Sequence, residues 1–268
     1  MNEAAARLRI LAKGSMALLL ALLLGALLAP GSWATAAVPV QESPAGAENA
    51  PMPAAPTSRI LSNERTFTRW ANPLAPGPIY AAHTAHSRRI GQIHFETEDG
   101  FPEVYLLLSI YTNSHDEEWV DIRIPARPNG QTGWVPRERL GTFHLTHWLI
   151  VVNRERRRLT AYYDGRLRRV FPVGIGKPST PTPAGHFWIR ERFRVSDRNS
   201  PYYPYALGTS DYSTLSEWPG GGVVGIHGPF GEPQAIPGDP SHGCIRMLPA
   251  DIGWLGPRVS LGTPVEIE

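Results

Sequence analysis

The sequence predicts a mostly β protein with two folded units behind an N-terminal export segment. Three observations carry this. Short runs rich in β-branched and aromatic residues recur from about Pro76 to the C-terminus, separated by Gly, Pro, Asn and Asp. Helical periodicity is weak throughout; only "PADIGWLGPRV" (249–259) reads as a short helix, starting at Pro249. The single cysteine in 268 residues, Cys244, permits no intrachain disulfide, so an exported chain of this kind is held by its core alone.

Residues 1–36 read as a secretory signal peptide. Arg7, Arg9 and Lys13 precede the uncharged run "MALLLALLLGALLA" (16–29), Pro30 and Gly31 break it, and Ala34-Thr35-Ala36 supplies a small-residue cleavage pattern. The apolar run is short for a spanning helix of about 20 residues. The expected location is therefore the periplasm or cell wall, with membrane contact only through this segment if it stays uncleaved. The whole chain holds 26 basic and 24 acidic residues. Three of the basic residues and one acidic residue lie in 1–36, which leaves 23 of each and a neutral mature chain. The overall pI of 8.8 is thus no sign of nucleic-acid binding.

Residues 37–75 are expected to be a Pro/Ala-rich linker. The stretch "AVPVQESPAGAENAPMPAAPTS" (37–58) has too few large apolar residues to offset chain entropy by burial. Residues 76–141 are expected to form a small β-barrel. "GPIYAAH", "RRIGQIHF", "EVYLLLSIYT" and "EWVDIRIPA" read as strands; "EDG", "TNSHDEE" and the Pro-Asn-Gly and Thr-Gly-Trp of 126–136 read as turns.

Residues 144–268 form the second expected unit. "HWLIVVN" and "RRLTAYYDGRLRRVFPVGIG" read as consecutive strands, with Asp164-Gly165 as a hairpin turn. "GHFWIRERF" follows the turn "PTPAG", and "GTPVEIE" ends the chain as a strand. The arginines of "RERRRL" and "GRLRR" read as a solvated hairpin face. "GIGKPST" (174–180) is no phosphate loop, because Pro178 stands where a Ser or Thr is required.

The chemistry concentrates in "GGGVVGIHGPF" (220–230) and "SHGCIR" (241–246). His227 follows an apolar strand-like run and precedes Gly-Pro, which places it at a strand end beside a loop. Cys244 lies seventeen positions further on. A lone cysteine is a buried filler, a metal ligand or a nucleophile. The Ser, His, Gly and Arg around Cys244 speak against a filler. Zinc held by His227, His242 and Cys244 lacks the paired spacing of most zinc sites. A thiol beside a histidine base can become the reactive thiolate, and such pairing can hold its pKa well below the usual value of about 8.5. Gly243 lets the backbone approach a substrate closely, and the amides of Gly243 and Cys244 are placed to face a developing oxyanion.

His227-Gly228, the 17-residue gap and "SHGCIR" resemble the active-site signature of bacterial L,D-transpeptidases. The hairpin, the Thr-Pro-x-Gly-x-Phe turn and the terminal strand extend the resemblance over 144–268. Residues 76–141 look like a bacterial Src-homology-3-like domain. The resemblance implies a β-rich catalytic sandwich behind a small barrel. Cys244 would be the nucleophile, His227 the general base and Gly228 the residue whose carbonyl orients it. His242 and Gly243 would shape the loop and oxyanion site. Ser241, Arg246 and Tyr212 are the candidate substrate contacts, Ser241 also as a hydrogen-bonding support of the loop and Arg246 either in loop structure or in meeting a stem-peptide carboxylate; Tyr212 is one of several aromatics in 202–218, with Tyr202, Tyr203, Tyr205 and Trp218. The implied substrates are peptidoglycan stem peptides, the implied inhibitors are carbapenems, and neither metal nor organic cofactor is needed.

Cysteine attack on the third residue of a donor stem, followed by transfer to a second stem's amine, would crosslink the wall. Water as acceptor would make the site an L,D-carboxypeptidase, and a lipoprotein amine would make it an anchoring enzyme. A papain-like endopeptidase is excluded, since its histidine follows its cysteine and no histidine follows Cys244. A wall-binding protein with a non-catalytic transpeptidase fold would predict a broken motif; this one is complete.

Overall fold

Eight short strands of the N-terminal half pair into one antiparallel sheet: β1 (Thr57–Ile60), β2 (Thr68–Ala71), β3 (Pro78–Tyr80), β4 (Arg89–Gln92), β5 (Tyr105–Thr112), β6 (Glu118–Arg123), β7 (Thr132–Pro136) and β8 (His144–Thr146). The computed structural model describes residues 55–217 and 219–268; the signal segment and the linker up to residue 54 lie outside the described residues. The sheet runs β4-β3-β7-β6-β5-β2-β8, and β1 also pairs with β5. Leu61, Ala71, Ile79, Tyr105, Leu107, Val120, Ile122 and Val135 fill its core. Each fully buried Val, Leu or Ile side chain among them contributes roughly 1.5–3 kcal/mol relative to exposure.

Three sequence expectations change here. The linker does not extend to residue 75, because β1 and β2 both pair with β5. Arg69 and Trp70 of "TRWA" interrupt the apolar pattern, which is why it does not read as a strand. The Thr-Gly-Trp of 132–134 is no turn but the start of β7, where Gly133 passes close beneath Ile79 and Ile90. Finally, β8 completes the first sheet through β2, so the second sheet begins after it.

That second sheet comprises β9 (Trp148–Asn153), β10 (Arg158–Tyr163), β11 (Arg166–Pro172), β12 (Gly174–Gly176), β13 (Gly185–Arg194), β14 (Tyr205–Tyr212), β15 (Val223–His227), β16 (Gly238–Ser241), β17 (Ile245–Arg246) and β18 (Pro264–Ile267). Its order is β11-β10-β9-β18-β13-β14-β15-β17-β12-β16. Asp164 and Gly165 both have positive φ, 52° and 70°, the backbone a tight two-residue hairpin needs. The arginines at 166, 168 and 169 are exposed, as a solvated face requires.

β13 joins the two halves of the sheet. Its first four residues pair with β18, and Ile189 onward pairs with β14. Ile150, Val152, Leu159 and Phe187 from one half meet Leu207, Ile226 and Ile245 from the other in one core. The helix α1 (Pro249–Leu255) covers it with Ile252 and Leu255. The fold is thus mostly β, as the sequence predicts.

The two sheets are pinned together around β13. Trp188 is buried and its Nε1–H donates to the Val104 carbonyl at 2.7 Å. Phe101 stacks on Phe193 with ring centroids 5.3 Å apart. Asn129 and Tyr212 exchange two hydrogen bonds, at 3.0 and 3.1 Å. These contacts bring the turn at 97–100 of the first sheet to the edge of β13 and β14.

Candidate active site

β15 and β17 run parallel as neighbours, with Ile226 beside Ile245 and His227 beside Arg246. The apolar residues of both strands enter the core. That anchoring delivers His227 at the end of β15 and Cys244 immediately before β17 to one edge. Gly243 makes the approach possible: its φ is 130°, and a Cβ there would meet the Ser213 side chain at 3.0 Å. Ser241 is buried, accepts the Gly243 N–H at 3.1 Å and donates to the Cys244 carbonyl at 2.6 Å. Thr182 donates to the Gly243 carbonyl at 2.7 Å and accepts the Gly176 N–H at 2.9 Å. Thr182 lies in the "PTPAG" turn, and its grip on the cysteine loop is not legible from spacing.

His227 is buried, and its Nδ1 lies 2.8 Å from the Gly228 carbonyl. A carbonyl only accepts, so Nδ1 carries the hydrogen and Nε2 holds the lone pair. The carbonyl reaches this position because Gly228 has no side chain; a Cβ there would run into the Tyr203 carbonyl. Tyr202 sits edge-on to His227, centroids 4.8 Å apart.

Two clefts meet at Cys244 and His227, and both include Tyr202 and Val223. One, of about 260 Å³, is lined further by Glu191, Phe193 and Gly225, and by Asp99 from the first sheet. The other, of about 290 Å³, is lined by Ser213, Phe230, Ser241, His242 and Arg246. A larger depression of about 930 Å³ on the first sheet, lined by Tyr80, His83, Tyr111 and Trp119, shares no residue with this site. Among the described residues no three His, Cys, Asp or Glu side chains are grouped as a metal ion would need.

Burial pushes the Cys244 thiol up; a Gly225 backbone hydrogen bond opposes this, the Asp211 carboxyl adds to it and Arg246 opposes it. Burial pushes His227 down to about 4, against the Gly228 carbonyl and with the Arg246 charge. At neutral pH the pair is therefore a thiol beside a neutral imidazole. Desolvation moves both groups toward their neutral forms, in the direction opposite to the depressed thiol pKa expected from histidine pairing.

Two further expectations change. The Gly243 amide is engaged by Ser241 rather than turned to a substrate. Ser241 reaches the second cleft and commits its hydroxyl to the loop. Tyr212 does not line either cleft: it is buried, and its hydroxyl lies between Glu98, Arg190 and the Pro125 carbonyl. Tyr202 holds the aromatic position at the cysteine instead. Arg246 lines the second cleft, paired with Glu232 at 2.5 Å and stacked over Phe230 at 4.8 Å. His242 lines it too, with Nε2 3.0 Å from Lys177 Nζ. Asp99 and Glu191 were not legible as site residues, since nothing local distinguishes them from solvated acids.

Cys244, His227 with its Nε2 lone pair left open by the Gly228 carbonyl, and two clefts thus lie together at one edge of the sheet. Residues 147–267 match the sequence model of the L,D-transpeptidase catalytic domain. The chain is 32% identical over 117 residues to L,D-transpeptidase 1 of Mycobacterium tuberculosis, covering 40% of this chain and 45% of that protein. It thus spans about half the length of the curated relatives it matches. Among solved structures, a mutant Enterococcus faecium L,D-transpeptidase is 29% identical with a TM-score of 0.36, over 45% of this chain and 49% of that one. L,D-transpeptidase 3 from Mycobacterium tuberculosis in complex with a faropenem-derived adduct is 19% identical with a TM-score of 0.37, over 57% and 91%.

Proposed function

We propose that this protein is an exported L,D-transpeptidase that crosslinks peptidoglycan through a Cys244 acyl-enzyme. The single observation that carries the reading is the His227 tautomer: with Nδ1–H committed to Gly228, Nε2 is the proton acceptor beside a thiol. His227 Nε2 takes the thiol proton as sulfur attacks the carbonyl of the third residue of a donor stem. The Cys244 amide donates to the oxyanion. Collapse breaks the C–N bond, the terminal D-alanine leaves with the proton from His227, and a thioester remains. An amine of a second stem then attacks the thioester and gives its proton to His227, and the thiol is restored.

The two clefts support separate seats for acyl donor and amine acceptor on either side of the sulfur. A water acceptor would need no second cleft, which favours crosslinking over carboxypeptidase activity. Export by residues 1–36 and a Src-homology-3-like role for the first sheet belong to the same reading. Carbapenems fit it as inhibitors, because a strained lactam carbonyl offers the thiol the same electrophile.

The test is mass spectrometry of products after incubation with a defined disaccharide-tetrapeptide. A crosslinked dimer is the expected result. A tripeptide alone would assign the carboxypeptidase reaction, and unchanged substrate would leave a wall-binding role.

A further inference from the structure

Asp211 lies in β14, where pairing with β15 is irregular between Gly208 and Tyr212. Such bulges re-aim side chains. Asp211 and Thr209 are both completely buried. Thr209 Oγ1 makes a short contact with Asp211 Oδ1 and lies 2.5 Å from the Val224 carbonyl oxygen. Asp211 Oδ2 has no partner.

Counting protons decides how these atoms are bonded. The Thr209 hydroxyl has one hydrogen, and the Val224 carbonyl can only accept. The hydroxyl hydrogen therefore goes to Val224, and the contact with Asp211 needs a hydrogen from Asp211 itself. An ionised Asp211 would draw the hydroxyl hydrogen to itself and leave two oxygen lone pairs facing each other at Val224. It would also bury a charge on an unpaired oxygen, which is costly.

The Val224 carbonyl and the Gly225 N–H belong to one peptide group. In a strand the N–H of a peptide points away from its carbonyl, so with the Val224 oxygen turned to Thr209 on β14 the Gly225 N–H faces β17, and Gly225 and Cys244 line the same cleft; an N–H donated there favours the ionised Cys244 sulfur. A peptide that accepts at oxygen becomes a better donor at nitrogen. We propose that Asp211 is a positioning residue, held as a neutral carboxylic acid, whose O–H acts through Thr209 and the Val224–Gly225 peptide to strengthen the N–H donated to the Cys244 sulfur. The identity of the sulfur as nucleophile rests on the transpeptidase reading; the relay itself does not.

Burial holds the Asp211 carboxyl up to about 7, with Thr209 and its own backbone N–H opposing. The other charged or titratable groups around the sulfur are Arg246 on β17, Tyr202, His227 on β15, and Asp99 and Glu191 across the first cleft. When Asp211 ionises, its charge raises the thiol pKa and the relay to Val224 is lost. Both effects act in the same direction.

The experiment is the rate of iodoacetamide alkylation of Cys244 in the full chain between about pH 5 and about pH 9, with near-ultraviolet circular dichroism reporting the fold. The parent rate should rise about tenfold per pH unit below about pH 7 and more shallowly above it, as thiolate fraction and thiol pKa change together. Asp211→Asn can still donate to Thr209 but cannot ionise, so its slope should stay about tenfold per unit throughout. Thr209→Val should slow alkylation about tenfold, equal to about one pKa unit, and Thr209→Ser should restore it. Superimposable profiles for the parent and Asp211→Asn, or a Thr209→Ser rate as low as Thr209→Val, overturn the relay. If Asp211→Asn does not fold, the Thr209 pair decides alone. Crosslinking by the parent is measured in parallel: its absence beside the expected alkylation profiles sinks the transpeptidase reading and leaves the relay standing.

Discussion

Arg190 and Glu103 form a bidentate ion pair, 2.8 and 2.5 Å, with only 3% and 1% of their side chains exposed. The pair ties β13 of the second sheet to the segment before β5 in the first. Arg190 also meets Glu98 at 3.1 Å, one residue before Asp99 of the cleft. A buried pair is costly to break from one side, because the remaining charge stays desolvated. Glu103→Ala should therefore lower unfolding stability by about 3–5 kcal/mol, read from the urea midpoint. Replacing both partners by apolar residues of similar size should recover much of that loss.

Cys244→Ala should eliminate product while the fold persists, since one sulfur carries the covalent step. Crosslinked dimer at the parent rate from Cys244→Ala would remove Cys244 from the chemistry.

The acid limb of kcat/KM should lie near pH 4, where His227 takes up a proton, rather than near its ordinary 6.5. Stability follows the same group. The unfolded chain binds the proton first, so the contribution is full above 6.5 and is lost as pH falls from 6.5 toward about 4. His227→Gln should flatten that part of the stability–pH curve. A kinetic limb at 6.5 in the parent would contradict the neutral thiol–imidazole pair.

A carbapenem should add the mass of one drug molecule to the protein, mapped to Cys244 by peptide analysis. The adduct should form far more slowly in His227→Ala, whose thiol lacks a proton acceptor. Equal acylation rates in the two proteins would mean that His227 is not the base.

Tyr212→Phe should cost about 1–3 kcal/mol of stability, because it leaves buried polar partners unsatisfied, and should not change KM. Tyr202→Ala should raise KM or lower kcat, because its ring lines both clefts beside His227. Steady-state kinetics beside thermal melts separate the two. A KM change confined to Tyr212→Phe would reverse the assignment.

Sequence alone determined what depends on local order. Alternating β-branched and aromatic runs mark β5, β6, β9, β10 and β13; Asp164-Gly165 marks a tight hairpin; Pro249 opens the helix. The spacing of His227, Gly228 and Cys244 marks the proposed site, because a strand end before Gly-Pro and a glycine loop are local signals. β14 was not legible: "YALGTSDY" contains Gly and Asp, which weaken a strand reading, and only pairing on both sides makes it one. Tertiary structure also decided that Tyr212 faces Arg190, that Asp99 crosses to the cleft, and that Thr209 and Asp211 back the peptide beside the sulfur. Burial decided the protonation of His227 and Cys244. Solvent exclusion at a residue comes from segments far away in the chain, so no local pattern encodes it, and it is desolvation that sets which groups hold their protons.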